Sequence, residues 1–479
     1  MTATGLLIIP ATFLLLFGRW RHLIVFLIVV SGLLADAAVV NFANFGVQPG
    51  YFVLLAVLGR AFAEMVVRQE PLRQDVAARF VPLLVLMAAS MVALLAGAAF
   101  HDGSIMVQSS RDGQNGPGSA FHFRLENYAQ HLYLAVNALG ALVVAHKLSR
   151  MPAVEARLVV RRSLHGFIWI SGAVVFWQYL HYSAGLWFPD KEFFHNNVAY
   201  AEAYGQNLSD FGYRLCGAFS EPSALAYFFA GALFFTYREY EAERSTTALA
   251  GIMISILLML LSTSTSAYIM LVLFAVLLIW RRRRLMAPGL DGAEIPRLHV
   301  WLCVLAAVVL AIFLASHARL VLFVVKTFII DKPGTASVAV RSTADLMALH
   351  IALETWGLGL GLGSHKANTL PMTLLSNTGI AGLLAFVWFV VGCFSYAARR
   401  LRASPGFVGT VRPVQWFLAG LLIEHCVMNP NFNMGMFWQI FGLLIGAAAA
   451  HAAVPVPAGL RQSSDIVLFR PVLEGEISP

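Results

Sequence analysis

Residues 80 to 100 read FVPLLVLMAASMVALLAGAAF, and residues 372 to 397 read MTLLSNTGIAGLLAFVWFVVGCFSYA. Neither run carries a charge, and as a helix each is long enough for the roughly 30 Å of a bilayer's hydrocarbon core. A membrane barrel would need shorter segments alternating with period two, and these runs do not alternate. Backbone N–H and C=O groups in lipid must be satisfied within the chain, so such runs predict transmembrane helices. Of the 479 residues, 59% are hydrophobic and only 12% charged, a balance that excludes an ordinary soluble domain. The expected fold class is all-α, a polytopic transmembrane helix bundle.

Apolar runs read against their basic flanks predict spans near residues 5 to 18, 23 to 40, 50 to 67, 80 to 100, 129 to 146 and 164 to 186. Further spans are expected near 222 to 237, 247 to 262, 266 to 280, 298 to 316, 372 to 397, 413 to 428 and 432 to 452, about 12 to 13 in all. The run from Leu6 to Phe17 is not a secretory leader on this reading, because Arg19 and Arg21 follow it and more apolar runs come at once. Four scattered cysteines offer neither a disulfide framework nor a zinc spacing.

The net charge of +8 has a topological explanation ahead of a nucleic-acid partner, which is not expected. With Arg281 to Arg284 in the cytoplasm, alternation also places Arg68, Arg73, Arg79, Lys147, Arg150, Arg157, Arg161, Arg162, Arg399, Arg400 and Arg402 there. Residues 1 to 452 then form one transmembrane domain, and 453 to 479 a cytoplasmic tail. The outer loops lie near 101 to 128, 187 to 221 and 317 to 371.

The outer loops break the positive-inside rule, carrying Arg111, Arg124, Lys191, Arg214, Arg319, Lys326, Lys332, Arg341 and Lys366. Singly, each could pair with a nearby acid; as a group they suggest an anion site. Arg214 opens RLCGAFSEPSALAYFF, in which Ser220 or Glu221 suits a helix cap and Pro222 the first turn. Capping accounts for SEP but not for the arginine before it. Arg341 opens RSTADLMALHIALETWGLGLGLGSHKAN, an expected helix followed by a glycine run whose N–H groups could form an anion nest. His365 follows that bend, and a near-neutral imidazole there suits a general base. Glu424 and His425, near the outer end of a span, and Lys366 are candidates to close the same cavity, although a helix-to-helix hydrogen bond is an equal reading of the first two. Asp36 is a further charge expected inside a span, and STSTSAY at 262 to 268 reads as a polar turn. No metal-ligand spacing is present among the histidines.

The stretches RLCGAFSEPSALAYFF, LLSTSTSAYIML, and Arg341 with GLGLGSHKANTLPMTLLSNTGIAGLL resemble the O-antigen polymerase and O-antigen ligase superfamily, especially its exopolysaccharide polymerase members. That resemblance implies a GT-C-like bundle with two long extracytoplasmic loops containing short helices, in the bacterial inner membrane with its site facing the periplasm. It implies glycosyl transfer from an undecaprenyl-pyrophosphate-linked oligosaccharide to a sugar hydroxyl, without a metal or other cofactor. Arg214 and Arg341 would hold the pyrophosphate, Arg319 or Lys326 would assist, and His365 or Glu221 would accept the hydroxyl proton. The implied partners are the lipid-linked glycan, membrane lipid and a chain-length regulator. An O-antigen ligase, passing glycan to lipid A core, and a polytopic transporter or flippase are the rival readings; a transporter is expected to show an internal repeat and broken helices.

Overall fold

In the computed structural model the residues described are 1–43, 45–108, 118–198, 214–285, 326, 336–403, 408–428 and 432–450. They form a mostly helical protein. In chain order the helices are α1 (Ala3–Leu16), α2 (Trp20–Leu33), α3 (Pro49–Arg68), α4 (Gln74–Ala77), α5 (Val81–Phe100), α6 (Leu125–Ser149), α7 (Ala153–Ala184), a π-helical turn (Asp190–Phe194), α8 (Pro222–Glu243), α9 (Thr246–Leu261), α10 (Thr265–Leu285), α11 (Ala336–Glu354), α12 (Leu370–Ala403), α13 (Val408–Val427) and α14 (Gly435–Ala450). Five are long and apolar enough to cross a membrane, namely α3, α5, α6, α7 and α12, and shorter apolar helices accompany them. By helix length and hydropathy the chain is a multi-pass membrane protein. The predicted span at 298 to 316, Arg111, Arg319 and the tail lie outside the described residues.

At the centre stands α14, buried from Met436 to Ala450. Apolar contacts give no net drive between helices in lipid, so close approach through small residues holds such bundles together. A Cβ on Gly442 would meet the Ala141 carbonyl oxygen of α6 at 2.6 Å, and one on Gly446 the Ala145 oxygen at 2.9 Å. Only hydrogen fits at either position.

One end of the bundle collects the basic residues. Asp75 is bridged by Arg73 at 2.9 Å and Arg400 at 3.0 Å, while the Arg73 guanidinium also donates to the Ser149 carbonyl. Lys147 sits between Glu64 and Glu70 at 2.8 and 2.7 Å, and Arg161 meets Glu239 at 2.8 Å. All four cations are among those that the flanking runs assign to the cytoplasm.

At the opposite end the structure departs from the sequence reading in two respects. The run from 23 to 40 is not one span: α2 stops at Leu33, and Val40–Phe42 pairs antiparallel with Phe45–Val47. Loop side chains take over the backbone there, with Asn196 Oδ1 accepting from the Ala38 N–H at 2.7 Å. Asp36 therefore lies in a turn beyond the helix. Second, α12 is broken at Gly379, whose φ of +66° no interior helical residue adopts. The carbonyls freed by the break, Ser376 and Asn377, accept the N–H groups of Leu360 and Gly361 at 2.9 and 2.7 Å.

Candidate functional site

The segment 214–221 enters the bundle just before α8, and Pro222 occupies its first turn as the sequence suggests. The expected side-chain cap is absent: Glu221 is the N-cap residue, yet its carboxylate makes no capping hydrogen bond. Its charge acts instead on Arg214. The Arg214 Nε donates to Thr263 Oγ1 at 3.1 Å and Nη2 to the Thr263 carbonyl at 3.4 Å. Thr263 turns the chain from α9 to α10 with a φ of +49°, which aims both of its oxygens at the guanidinium. The polar turn is thus a seat for Arg214, a role its composition alone does not announce.

Arg341, half-buried on α11, lies within the electrostatic field of Arg214. Burial draws the Arg214 guanidinium below its ordinary value, Glu221 and Tyr268 oppose that shift, and Arg341 adds to it. Like charges brought together out of water repel, and an anion between them removes the penalty. Two guanidinium groups from separate segments, with Glu221 and Tyr268 acting on Arg214, make an arrangement suited to holding a multiply charged anion. Compared with known protein families and with curated proteins, the chain matches none. The geometry therefore carries the functional reading.

The other candidates divide. His365 is 3% exposed; its Nδ1 accepts from the Gln108 N–H at 3.1 Å, and its Nε2 donates to the Ala344 carbonyl at 2.9 Å. Burial pulls it down to about 4. The near-neutral base expected of His365 is corrected on both counts, since no ring nitrogen is free and the ring is held neutral. Lys366, beside it, is exposed and donates its backbone N–H to the Gln108 carbonyl. Lys326 is exposed.

The anticipated glycine nest is also corrected. Gly357, Gly359, Gly361 and Gly363 all have positive φ, but the N–H groups of residues 359 to 362 turn inward onto Thr355, Ser376, Asn377 and Ser90. Asn377 closes the bend, its Oδ1 accepting from the Ser364 and His365 N–H groups at 3.1 Å each and its Nδ2 donating to the His365 carbonyl at 2.8 Å.

Glu424 and His425 are fully buried inside the bundle rather than at a cavity mouth. His425 Nε2 pairs with the Tyr227 hydroxyl at 2.7 Å, a link between α13 and α8 that matches the helix-to-helix alternative. Neither carboxylate oxygen of Glu424 completes a hydrogen bond among the described residues, and Ser266 is the neighbouring hydroxyl. No group of three or more His, Cys, Asp or Glu side chains is arranged as metal ligands among the described residues.

Proposed function

We propose that the protein polymerises lipid-linked polysaccharide repeat units, transferring a glycan from undecaprenyl pyrophosphate to a sugar hydroxyl at the outer face of the cytoplasmic membrane. The observation that carries this reading is the placement of Arg214 and Arg341 in one electrostatic field at the end of the bundle away from the basic clusters. Breaking the glycosyl phosphate bond leaves a pyrophosphate, and fixed guanidinium groups stabilise that developing charge without reorganising. Arg214 is held in place before any ligand arrives, because Thr263 fixes it. Glu221 sets the local charge and helps to orient it. On this proposal the basic end faces the cytoplasm and the site faces the periplasm, where a polyprenyl tail stays in lipid. Lys366 and Lys326, both exposed, are further cations proposed for the donor, and Arg319 joins them from its place in the sequence alone.

Transfer to lipid A core, the ligase reaction, shares the same donor chemistry. A transporter of lipid-linked glycan is the second reading, favoured by the break in α12 at Gly379 and by the buried carboxylate of Glu424. Proteoliposomes loaded with lipid-linked repeat units separate the three. Chain growth with the units alone is the expected result; growth or transfer only after adding lipid A core would indicate a ligase, and movement across the bilayer without bond formation would overturn the enzyme reading.

A further inference from the structure

Met106–Val107 pairs antiparallel with Ser119–Ala120, and this hairpin rests on a small apolar core of its own, in which Ile105, Val107 and Phe121 meet Ile351 of α11 and Leu360 of the glycine bend. Between the hairpin, the first turn of α6 and the bend lies an open cleft lined by Ser119, His122, Arg124, Glu126, Asn127 and Ser364. Its walls are fixed. Asn127 Nδ2 donates to the Leu362 carbonyl and to Ser364 Oγ at 3.0 Å each, which ties α6 to the bend. The Arg124 N–H donates to Asn127 Oδ1 at 3.0 Å, so the half-buried guanidinium projects from a held backbone, and it makes no ion pair among the described residues. Asp102 lies 3.3 Å from His122 and accepts the Phe123 N–H at 3.1 Å. The frame occupies Asn127 and Ser364, so a ligand would meet Arg124, Glu126, His122 and Ser119.

The signs of those groups select the ligand. A small anion near Arg124 would also face the Glu126 carboxylate, and a cation near Glu126 would face the guanidinium, so neither charge is favoured. A neutral ring bearing several hydroxyls satisfies both, because each hydroxyl can donate to the carboxylate and accept from the guanidinium. Phe123 and Tyr128, exposed and edge to face at 5.2 Å, flank the lining residues in the chain and offer apolar surface to the C–H face of such a ring. The cleft is also joined to α11. The His365 ring, next to Ser364, spans from the Gln108 N–H at 3.1 Å to the Ala344 carbonyl at 2.9 Å, and Asp345 Oδ1 accepts the N–H groups of Asn368 and Thr369 at 2.8 and 3.1 Å. Arg341 lies one turn before Ala344 on the same helix, so its backbone and the cleft share one frame. We propose that this cleft binds a neutral sugar ring of the acceptor glycan by its hydroxyl-bearing edge, with Arg124 donating to it and Glu126 accepting from it. The acceptor role rests on the glycosyl-transfer reading; sugar binding in the cleft does not.

The probe is the free oligosaccharide released by mild acid from lipid-linked repeat units, titrated by calorimetry into the full-length protein in lipid nanodiscs. Saturable binding to the wild type is expected, weakened about tenfold or more in Arg124→Gln and in Glu126→Gln, the ordinary range for losing a hydrogen bond to a charged group. Arg124→Lys keeps the charge but loses the planar fork, and its affinity is expected to fall between wild type and Arg124→Gln. With the same oligosaccharide as acceptor, the Gln variants should raise its KM by about tenfold and leave the KM of the lipid-linked donor within about threefold. A wild type that does not bind the oligosaccharide, or variants that all bind it within about threefold of wild type, overturns the proposal. Displacement of the bound oligosaccharide by inorganic phosphate would mark an anion site and overturn it as well. A wild type that binds the oligosaccharide through Arg124 and Glu126 but makes no polymer supports the sugar site and removes the acceptor role together with the transfer reading.

Discussion

His365 is drawn to the interior by its neighbours, and that fixes how the protein responds to acid. Its folded value of about 4 lies below the ordinary 6.5, so the unfolded chain binds the extra proton between those limits. The stability contributed by the neutral ring is fully present above about 6.5 and is lost as pH falls through about 4. The loss approaches about 3 kcal/mol for a shift of this size. The apparent Tm of the wild type is therefore expected to fall more steeply from pH 6.5 to pH 4 than that of His365→Ala, which starts lower because two backbone anchors are gone. Equal slopes in thermal melts would refute this account of the ring. The sequence placed His365 at a bend correctly but not its burial, because the partners of both nitrogens, Gln108 and Ala344, come from distant segments. Thr263 was hidden for a related reason: a serine and threonine turn looks alike whether it faces lipid headgroups or receives a guanidinium.

At the scale of elements, the break in α12 depends on close backbone contact. A Cβ on Gly379 would stand 2.2 Å from the Gly357 oxygen and 2.4 Å from the Leu358 oxygen, at a φ that disfavours side chains. Gly379→Ala is expected to cost on the order of 3 kcal/mol or more, read as loss of monodisperse protein on size exclusion after detergent extraction. Full recovery of the variant would contradict the packing described. Most helices were legible, since an uncharged run such as 80 to 100 has no other stable form in lipid. Their interruptions were not. The run 23 to 40 carries Asp36 as its sole charge, in the turn after α2, and 372 to 397 is uncharged but has Ser376, Asn377 and Thr378 just before Gly379; the hairpin turn and the break depend on distant partners, Asn196 accepting from the Ala38 N–H and Leu360 and Gly361 donating to the freed carbonyls.

On the scale of the whole molecule, sidedness organises everything else. Charges that the flanking runs assigned to the cytoplasm meet at one end, through Asp75 with Arg400 and Lys147 with Glu64, while Arg214 is held at the other. Each arginine of the proposed site reads in the sequence as an exception to the positive-inside rule; the influence of one on the other does not, because it joins the segment before α8 to α11 across a fold that composition cannot supply. The proposed site needs both cations at once, so the measurement that bears most directly on it is polymer formation from purified lipid-linked repeat units by wild type, Arg214→Ala and Arg341→Ala, each checked for membrane insertion and amount. Extended glycan from the wild type, with product from either variant down by about 100-fold or more, is the expected result. Unchanged polymer yield and length in both variants would contradict the proposal that these arginines hold the leaving pyrophosphate.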